Sequence, residues 1–382
     1  MFNIFWTMKK KILVWLSGWV DSAVSAALLL EQWYEVVGWF MKNYVSDKWN
    51  CTTFKDAEEA IKVAKFLWIE LLSFDLQKEY QERIIDYIFE GYSKWITPNP
   101  DVLCNNLIKF DVFLNKAMEQ WFDYIATGHY ARIKTSIKKP HPTPLLIGEG
   151  NRKAEGEVDR QIYHLLQWVD SWKDQSYFLS GLNQYQLSKS MFPLWEMNKQ
   201  EVREKAKEIW LPNAERKDSQ GLCFIWNVPI RTFLMQKFPK KEWDILDLNW
   251  KKVWTHQWAY FYTIGQKQWL WLNFKAYVYR IDIDNNILYV TDKDAEELKT
   301  KTLIAKNWHW IYPDMESEIL NRKKNLSWKI RYRQIPAVEC SLDKMENWDM
   351  KVTFEKEQRA VAPGQVFVAY NWDECLGNGM IA

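Results

Sequence analysis

The chain has 382 residues, 48% of them hydrophobic, and a formal charge of +2. That length supports two or three domains with sizeable cores, and the near-neutral charge excludes a protein that holds nucleic acid by bulk charge alone. The five cysteines are odd in number and widely spaced, which excludes a disulfide scaffold and points to a reducing, cytoplasmic setting.

Near the N-terminus, "KILVWLSGWVDSAVSAALLL" reads as a buried strand, a polar turn and an amphipathic helix. With its preceding lysines this start imitates a signal peptide, but Asp21 interrupts the apolar segment. No run reaches the roughly 20 apolar residues of a membrane span, so no membrane partner is expected. Strands and helices then alternate through "YEVVGWF", "DAEEAIKVAKFL", "IELLSFDL" and "DYIATGHY". This order predicts an α/β domain over residues 8–215, a parallel sheet with helices on both faces and ligands at the carboxyl ends of the strands. The polar stretch from Ile137 to Asp159 reads as a long surface loop. A turn-rich segment makes a small central domain over 216–280, and the short strands "NILYVTD", "WKIRYRQ", "KVTFE" and "QVFVAYN" predict a C-terminal β-barrel over 281–382. In "KIRYRQ" the alternation sets Arg331 and Arg333 on one face of a strand, a basic patch suited to nucleic acid.

The chain carries 25 Trp and only 13 Gly. Trp33, Trp68, Trp121 and Trp210 each follow the last residue of a helical pattern, the slot where a helix ends in the left-handed conformation and Gly is the usual occupant. A side chain there costs about 1–2 kcal/mol. Four such sites indicate Trp written where Gly is meant, as happens when the stop codon neighbouring the Trp codon is used for Gly. A naturally Trp-rich core would instead place its indoles on helix and strand faces.

With Gly at position 19, Ser17 to Ser22 reads S-G-G-V-D-S directly after a strand. Backbone N–H groups and two hydroxyls at a helix N-terminus form an anion site, and a positive φ is expected at position 19. No Walker-type motif occurs. Cys104, in "TPNPDVLCNNLIKF", follows a Pro-stiffened loop beside a helix start, and Cys223, in "KDSQGLCFIW", lies in a Gly-containing turn. Such settings lower a thiol pKa, and two thiols on separate loops can relay sulfur by exchange. Cys51, Cys340 and Cys375 read as small buried hydrophobes.

S-G-G-x-D-S resembles the PP-loop of the ATP pyrophosphatases. Together with "GWFMKN", "TPNPDVLCNNLIKF", "DYIATGHYA", "KDQSYFL", "DSQGLCFI", "YTIGQ", "KIRYRQ", "APGQ" and "CLGNGMI", the chain from Lys9 to Ala382 resembles the bacterial tRNA-specific 2-thiouridylase (MnmA) family. That family has Gly where this chain has Trp15, Trp19, Trp33, Trp68, Trp95, Trp121, Trp195, Trp210, Trp226, Trp269, Trp271 and Trp372, while Trp310 reads as a genuine Trp. The resemblance implies an ATP site from Trp15, Leu16, Ser17, Gly18, Trp19, Val20, Asp21, Ser22, Met41 and Gly128, with Mg²⁺ balancing phosphate charge. It implies Cys104 as nucleophile, Cys223 as persulfide carrier and Asp101 beside them, with Asn99, Pro100 and Asp101 meeting the target base. His129, Lys173, Asp174, Gln175, Arg331, Tyr332 and Gln365 would contact a tRNA with a wobble uridine, with a satisfied core histidine as the lesser alternative for His129. A cysteine desulfurase or relay protein would supply sulfur, and no protein-held metal is implied. Ile96 departs from the family, which has a basic residue there. Two other readings compete: a PP-loop ligase acting on a small molecule, and an RNA-binding protein that has lost catalysis.

Overall fold

The computed structural model describes residues 9–42, 53–94, 96–139, 159–217, 230–238, 241–257, 259–268, 270, 272–282, 284–322, 326–334 and 339–382. Its first sheet is built from β1 (Lys11–Trp15), β2 (Glu35–Lys42), β3 (Leu71–Asp75), β4 (Tyr124–Ala126) and, at the far edge, a two-residue strand at Ser190–Met191. The spatial order is β3-β2-β1-β4 followed by that edge strand, and every pairing is parallel. Successive strands extend the sheet one way from β1 to β3 and then the other way from β4. The switch point therefore lies between β1 and β4, where open α/β sheets bind ligands.

Two apolar layers cover the sheet. On one face, α1 (Val20–Glu31), α2 (Thr53–Leu67) and the helix Lys199–Glu208 pack around Ile12, Val14, Val24 and Ala60. On the other, the helical stretch from Pro100 to Glu119 packs Ile108, Phe110 and Phe113 against Leu13, Val37 and Trp39. The alternation of Ile12 and Val14 with Leu13 and Trp15 along β1 feeds both layers, as a strand buried on both faces requires.

An antiparallel hairpin, β5 (Arg132–Lys138) and β6 (Arg160–Leu166), leaves this domain and joins the C-terminal sheet through the Leu166–Glu374 pair. The central domain is a four-stranded sheet of Trp243–Leu246, Lys252–His256, Tyr277–Asp282 and Ile287–Thr291. Ile287–Thr291, grouped by its sequence pattern with the C-terminal strands, thus pairs with the central ones. The C-terminal sheet joins Lys299–Trp310, Ser327–Lys329, Cys340–Lys344, Met350–Arg359, Val366–Asn371 and Glu374–Ile381 around a core of Trp328, Val352, Phe354 and Phe367. The expected strand over "KIRYRQ" stops at Lys329, and Arg331 to Gln334 form a turn. Its closure is specific: the Gln334 side chain accepts the Ile330 N–H at 3.0 Å and the Gln334 N–H donates to Arg331 O at 3.2 Å.

Among the described residues, ten non-glycine positions have positive φ, and seven are Trp: Trp33, Trp68, Trp121, Trp210, Trp250, Trp348 and Trp372. All four helix ends singled out in the sequence are included. At each, the Trp N–H and the next N–H bond back as a Schellman closure, for example Trp33 to Leu30 O (3.0 Å) and Tyr34 to Leu29 O (3.2 Å).

Candidate active site

β1 ends at Trp15, the loop runs through Leu16, Ser17, Gly18 and Trp19, and α1 opens at Val20. The loop is tied internally: the Ser17 N–H donates to Ser22 Oγ (3.2 Å), the two serine hydroxyls lie 3.1 Å apart, and Ser22 Oγ donates to Trp19 O (3.0 Å). The positive φ falls on Gly18 (+80°), whereas Trp19 is extended at φ −91° and ψ 158°. The expectation for position 19 is corrected by helix geometry, because residue 19 is the N-cap and an N-cap takes β-region dihedrals. A Cβ at Gly18 would strike the Asp56 carbonyl. The Trp19 indole turns onto Arg216, whose guanidinium carbon sits 3.8 Å from the ring centroid.

Asp21 accepts from Tyr130 Oη and Lys199 Nζ, both at 2.6 Å. Gly128, just after β4, lies so close to the first turn of α1 that a Cβ there would sit 2.8 Å from the Ser22 nitrogen. Turn, helix N-terminus and Gly128 fit an anionic group, since donors and helix dipole converge at the switch point. Met41 is buried in one cluster with Trp15, Trp39 and Cys104. The Trp15 ring meets Trp39 at 4.8 Å and Phe113 at 5.1 Å, and Lys109 Nζ lies 5.6 Å from it. That indole fills space among Trp39, Phe113 and Lys109 that Gly would leave open.

The second part of the site is the segment from Thr97 to Cys104. Asn99 caps the helix Pro100–Cys104 by accepting the Val102 N–H at 3.3 Å, and Pro100 takes the first helical position, where no N–H is needed. Cys104 is 1% exposed, and the chain continues into π-helical turns at Asn105–Phe113. It lies a turn inside the helix, not at its edge, because the helix starts at Pro100. The C-terminal domain closes over this segment. The Thr97 N–H donates to Pro363 O (3.0 Å), Gln365 Nε2 to Thr97 O (2.9 Å) and Tyr177 Oη to Val366 O (2.9 Å), while Asn99 Nδ2 lies 3.5 Å from Gln365 Oε1. Ile96 packs against Gly364, whose φ of +85° and tight fit admit no side chain. Tyr332 stacks near Phe178 at 4.4 Å and its hydroxyl reaches Lys173 O at 3.5 Å.

Several residues expected on a tRNA surface also make contacts within the fold. His129 is 8% exposed, its Nδ1 is 2.7 Å from Thr127 Oγ1, and burial together with the Lys109 charge pulls its pKa well below the ordinary value. It is a core histidine. Asp174 is 1% exposed and accepts from the Trp168 and Ser176 N–H groups, from Ser176 Oγ and from Lys329 Nζ. Tertiary pairing with a distant lysine, invisible in "KDQSYFL", holds it in the interior. Gln175 spends its carbonyl on the Tyr130 N–H at 2.9 Å. The Arg331 guanidinium donates to Arg359 O (2.8 Å) and Ala360 O (2.6 Å), and burial with the nearby Arg359 charge lowers its pKa. Arg333 is exposed.

Cys340 and Cys375 are buried, as expected for small hydrophobes, and burial pushes Cys340 up to about 12. Cys51 and Cys223 lie outside the described residues, as do Trp95, Trp226, Trp269 and Trp271. Sequence reasoning missed Tyr130, Lys199, Asn213 and Arg216, all of which hold the first loop. The short "LPNAERK" stretch after a helix end was the available signal. Among the described residues no group of three metal-ligating side chains occurs.

A parallel α/β domain with a turn suited to an anion at its switch point, followed by two β domains of which the C-terminal one closes over the cysteine-bearing helix, defines a PP-loop type of enzyme. The chain matches the tRNA methyl transferase HUP domain over residues 10–227, the tRNA methyl transferase PRC-barrel domain over 231–292 and the aminomethyltransferase β-barrel domain over 300–381. It is 38% identical to the tRNA-specific 2-thiouridylase MnmA of Methylobacillus flagellatus, covering 98% of this chain and 99% of that one. Identity is 40% to the MnmA of Ralstonia nicotianae (98% and 96% covered) and 37% to that of Staphylococcus aureus (97% and 95%). The chain belongs to the tRNA-specific 2-thiouridylase family.

Proposed function

We propose that this protein is a tRNA-uridine 2-sulfurtransferase that spends ATP to replace the 2-oxygen of a wobble uridine with sulfur. The observation that carries the reading is the meeting of Thr97 and Asn99, at the start of the Cys104 helix, with Pro363 and Gln365, across more than 200 residues of chain, beside a cluster that continues to the end of β1. A ligase for small molecules has no use for a β domain closed over that cysteine, and a pure RNA binder has no use for the Ser17–Ser22 turn.

ATP is placed with its phosphates on Ser17 to Ser22 and its base toward Met41 and Gly128, and Mg²⁺ accompanies the phosphate charge. A uridine carbonyl is a poor electrophile, so its oxygen is first converted to an adenylate and pyrophosphate leaves. A base inside the anticodon stack is out of reach and must be splayed into the space near Asn99 to Asp101. The terminal sulfur of a Cys223 persulfide displaces AMP at C2. The Cys104 thiolate takes the inner sulfur as the S–S bond breaks, and the resulting Cys104–Cys223 disulfide is reopened by an external dithiol. A desulfurase or relay protein reloads Cys223, in the cytoplasm.

The thiols supply the test. Cys223→Ser should abolish thiouridine formation and leave tRNA-dependent pyrophosphate release measurable. Cys104→Ser should also stop product while labelled sulfur still loads onto Cys223. Normal thiouridine formation by the Cys104→Ser protein removes that residue from the mechanism.

A further inference from the structure

The Gly18 carbonyl receives two donors from one distant segment: Asn213 Nδ2 at 2.9 Å and Arg216 NH1 at 3.0 Å. Asn213 is 3% exposed, and Arg216 is itself fixed by an ion pair with Asp56. In a trans peptide the C=O and the following N–H point in opposite directions. Holding the Gly18 oxygen toward Asn213 and Arg216 therefore aims the N–H of residue 19 away from them. Gly18, at φ +80°, is otherwise free to flip this peptide, which would present a carbonyl where an anion needs a donor.

We infer that Asn213 and Arg216 are positioning residues that lock the Gly18–residue 19 peptide in its anion-binding orientation. They act through the loop and do not touch phosphate. The inference rests on the proposed nucleotide site, so its test has two independent readouts in the full-length chain carrying Gly at positions 15 and 19. The first is hydrogen exchange without ligand: in Asn213→Ala and Arg216→Ala, amides of residues 17–20 should exchange at least tenfold faster while β2 and β4 are unchanged. The second is calorimetry with inorganic pyrophosphate, whose affinity should fall about tenfold in either variant, with adenosine affinity unchanged and partial recovery in Arg216→Lys. Unchanged exchange in both variants overturns the clamp. Faster exchange in a parent that binds no pyrophosphate upholds the clamp and overturns the nucleotide reading.

A different observation carries a second inference. The seven Trp at positive φ are 66–94% exposed, so no core packing holds them there; Trp250 meets only the edge of Tyr289, and Trp33 and Trp348 only lysine ammonium groups. Four close helices as Schellman C′ residues. Trp250 and Trp348 occupy equivalent hairpin loops: Trp250 N–H to Asp247 O (3.1 Å) with Asp247 N–H to Lys251 O (3.0 Å), and Trp348 N–H to Met345 O (3.1 Å) with Met345 N–H to Asp349 O (2.9 Å). This is the type I turn with a G1 bulge, whose left-handed residue is Gly. Trp372 is the first residue of the two-residue loop between Asn371 and Glu374, a position that also favours Gly.

We propose that the gene's own translation system inserts Gly at all seven positions, including Trp250 and Trp348, which the helix-end pattern did not reveal. Peptide mass spectrometry of the protein isolated from the organism carrying the gene tests this. Gly should be found at 33, 68, 121, 210, 250, 348 and 372, and Trp at 310, a buried core position on the strand Lys299–Trp310. Trp at any of the seven overturns the assignment there.

Discussion

Lys329 Nζ lies 2.6 Å from Asp174 Oδ2, and neither side chain is exposed to solvent. One belongs to the C-terminal sheet and the other to the nucleotide domain, so a fully buried ion pair pins the two together. Asp174 is completed by two backbone N–H groups and the Ser176 hydroxyl. Removing one partner leaves an uncompensated charge in the seam. Asp174→Asn should cost about 3–5 kcal/mol in urea unfolding, whereas Asp174→Leu with Lys329→Met should come within about 1 kcal/mol of the parent or exceed it. A loss below about 1 kcal/mol for Asp174→Asn would show that the pair does not hold the seam.

The joint also changes what a tRNA-binding defect means. Arg331 and Arg333 are both exposed on the same turn, and Arg331 in addition donates to two carbonyls of the strand end at Arg359 and Ala360. Arg333→Ala should leave the melting temperature unchanged and reduce the salt slope of tRNA binding by about one unit, as expected for one lost phosphate contact. Arg331→Ala should lower both the melting temperature and the tRNA affinity. Equal effects of the two changes on stability would overturn this division of roles.

His129 gives the pH dependence. Its folded pKa lies below the ordinary 6.5, so as pH falls through 6.5 the unfolded chain takes up a proton that the folded protein refuses. The unfolded state then binds more protons, and stability rises with pH in that window and falls on acidification. Its contribution is fully present above 6.5 and is lost progressively below. His129→Asn should flatten the stability profile between pH 6.5 and the folded pKa. A profile unchanged by the substitution means that His129 titrates alike in both states.

Periodicity made the first domain legible: β1, α1, β2, α2 and β3 fall where the apolar pattern puts them, because local repeat and burial agree there. The first turn and the helix carrying Cys104 were readable for a different reason, as local residue strings with turn and capping residues in place. What stayed hidden was set by distant pairing. Asp174 looks like a surface charge until Lys329 reaches it, and Asn213 and Arg216 until the Gly18 carbonyl turns toward them. The "KIRYRQ" alternation misled because Gln334 folds back on Ile330 and ends the strand.

The Trp positions yield the last prediction. At Trp68, Trp121 and Trp210 the side chain is at least 83% exposed and the backbone is left-handed, so substitution by Gly removes strain and sacrifices no core contact. Relief of about 1–2 kcal/mol per site is reduced by the extra freedom Gly gives the unfolded chain, about 0.5–1 kcal/mol. Each Trp→Gly change should therefore stabilise by roughly 0.5–1 kcal/mol, the reverse of what Gly does inside a helix. Positions 15 and 19 act differently, since Trp19 is extended and Trp15 is packed among Trp39 and Phe113. Gly there should bring no gain in stability but should open the space among Trp39, Phe113 and Lys109 and around the turn. Calorimetry should show ATP binding in the Trp15→Gly, Trp19→Gly chain and little or none with both indoles present. Equal ATP affinity in the two proteins would place the nucleotide elsewhere and leave the two indoles as ordinary core and surface residues.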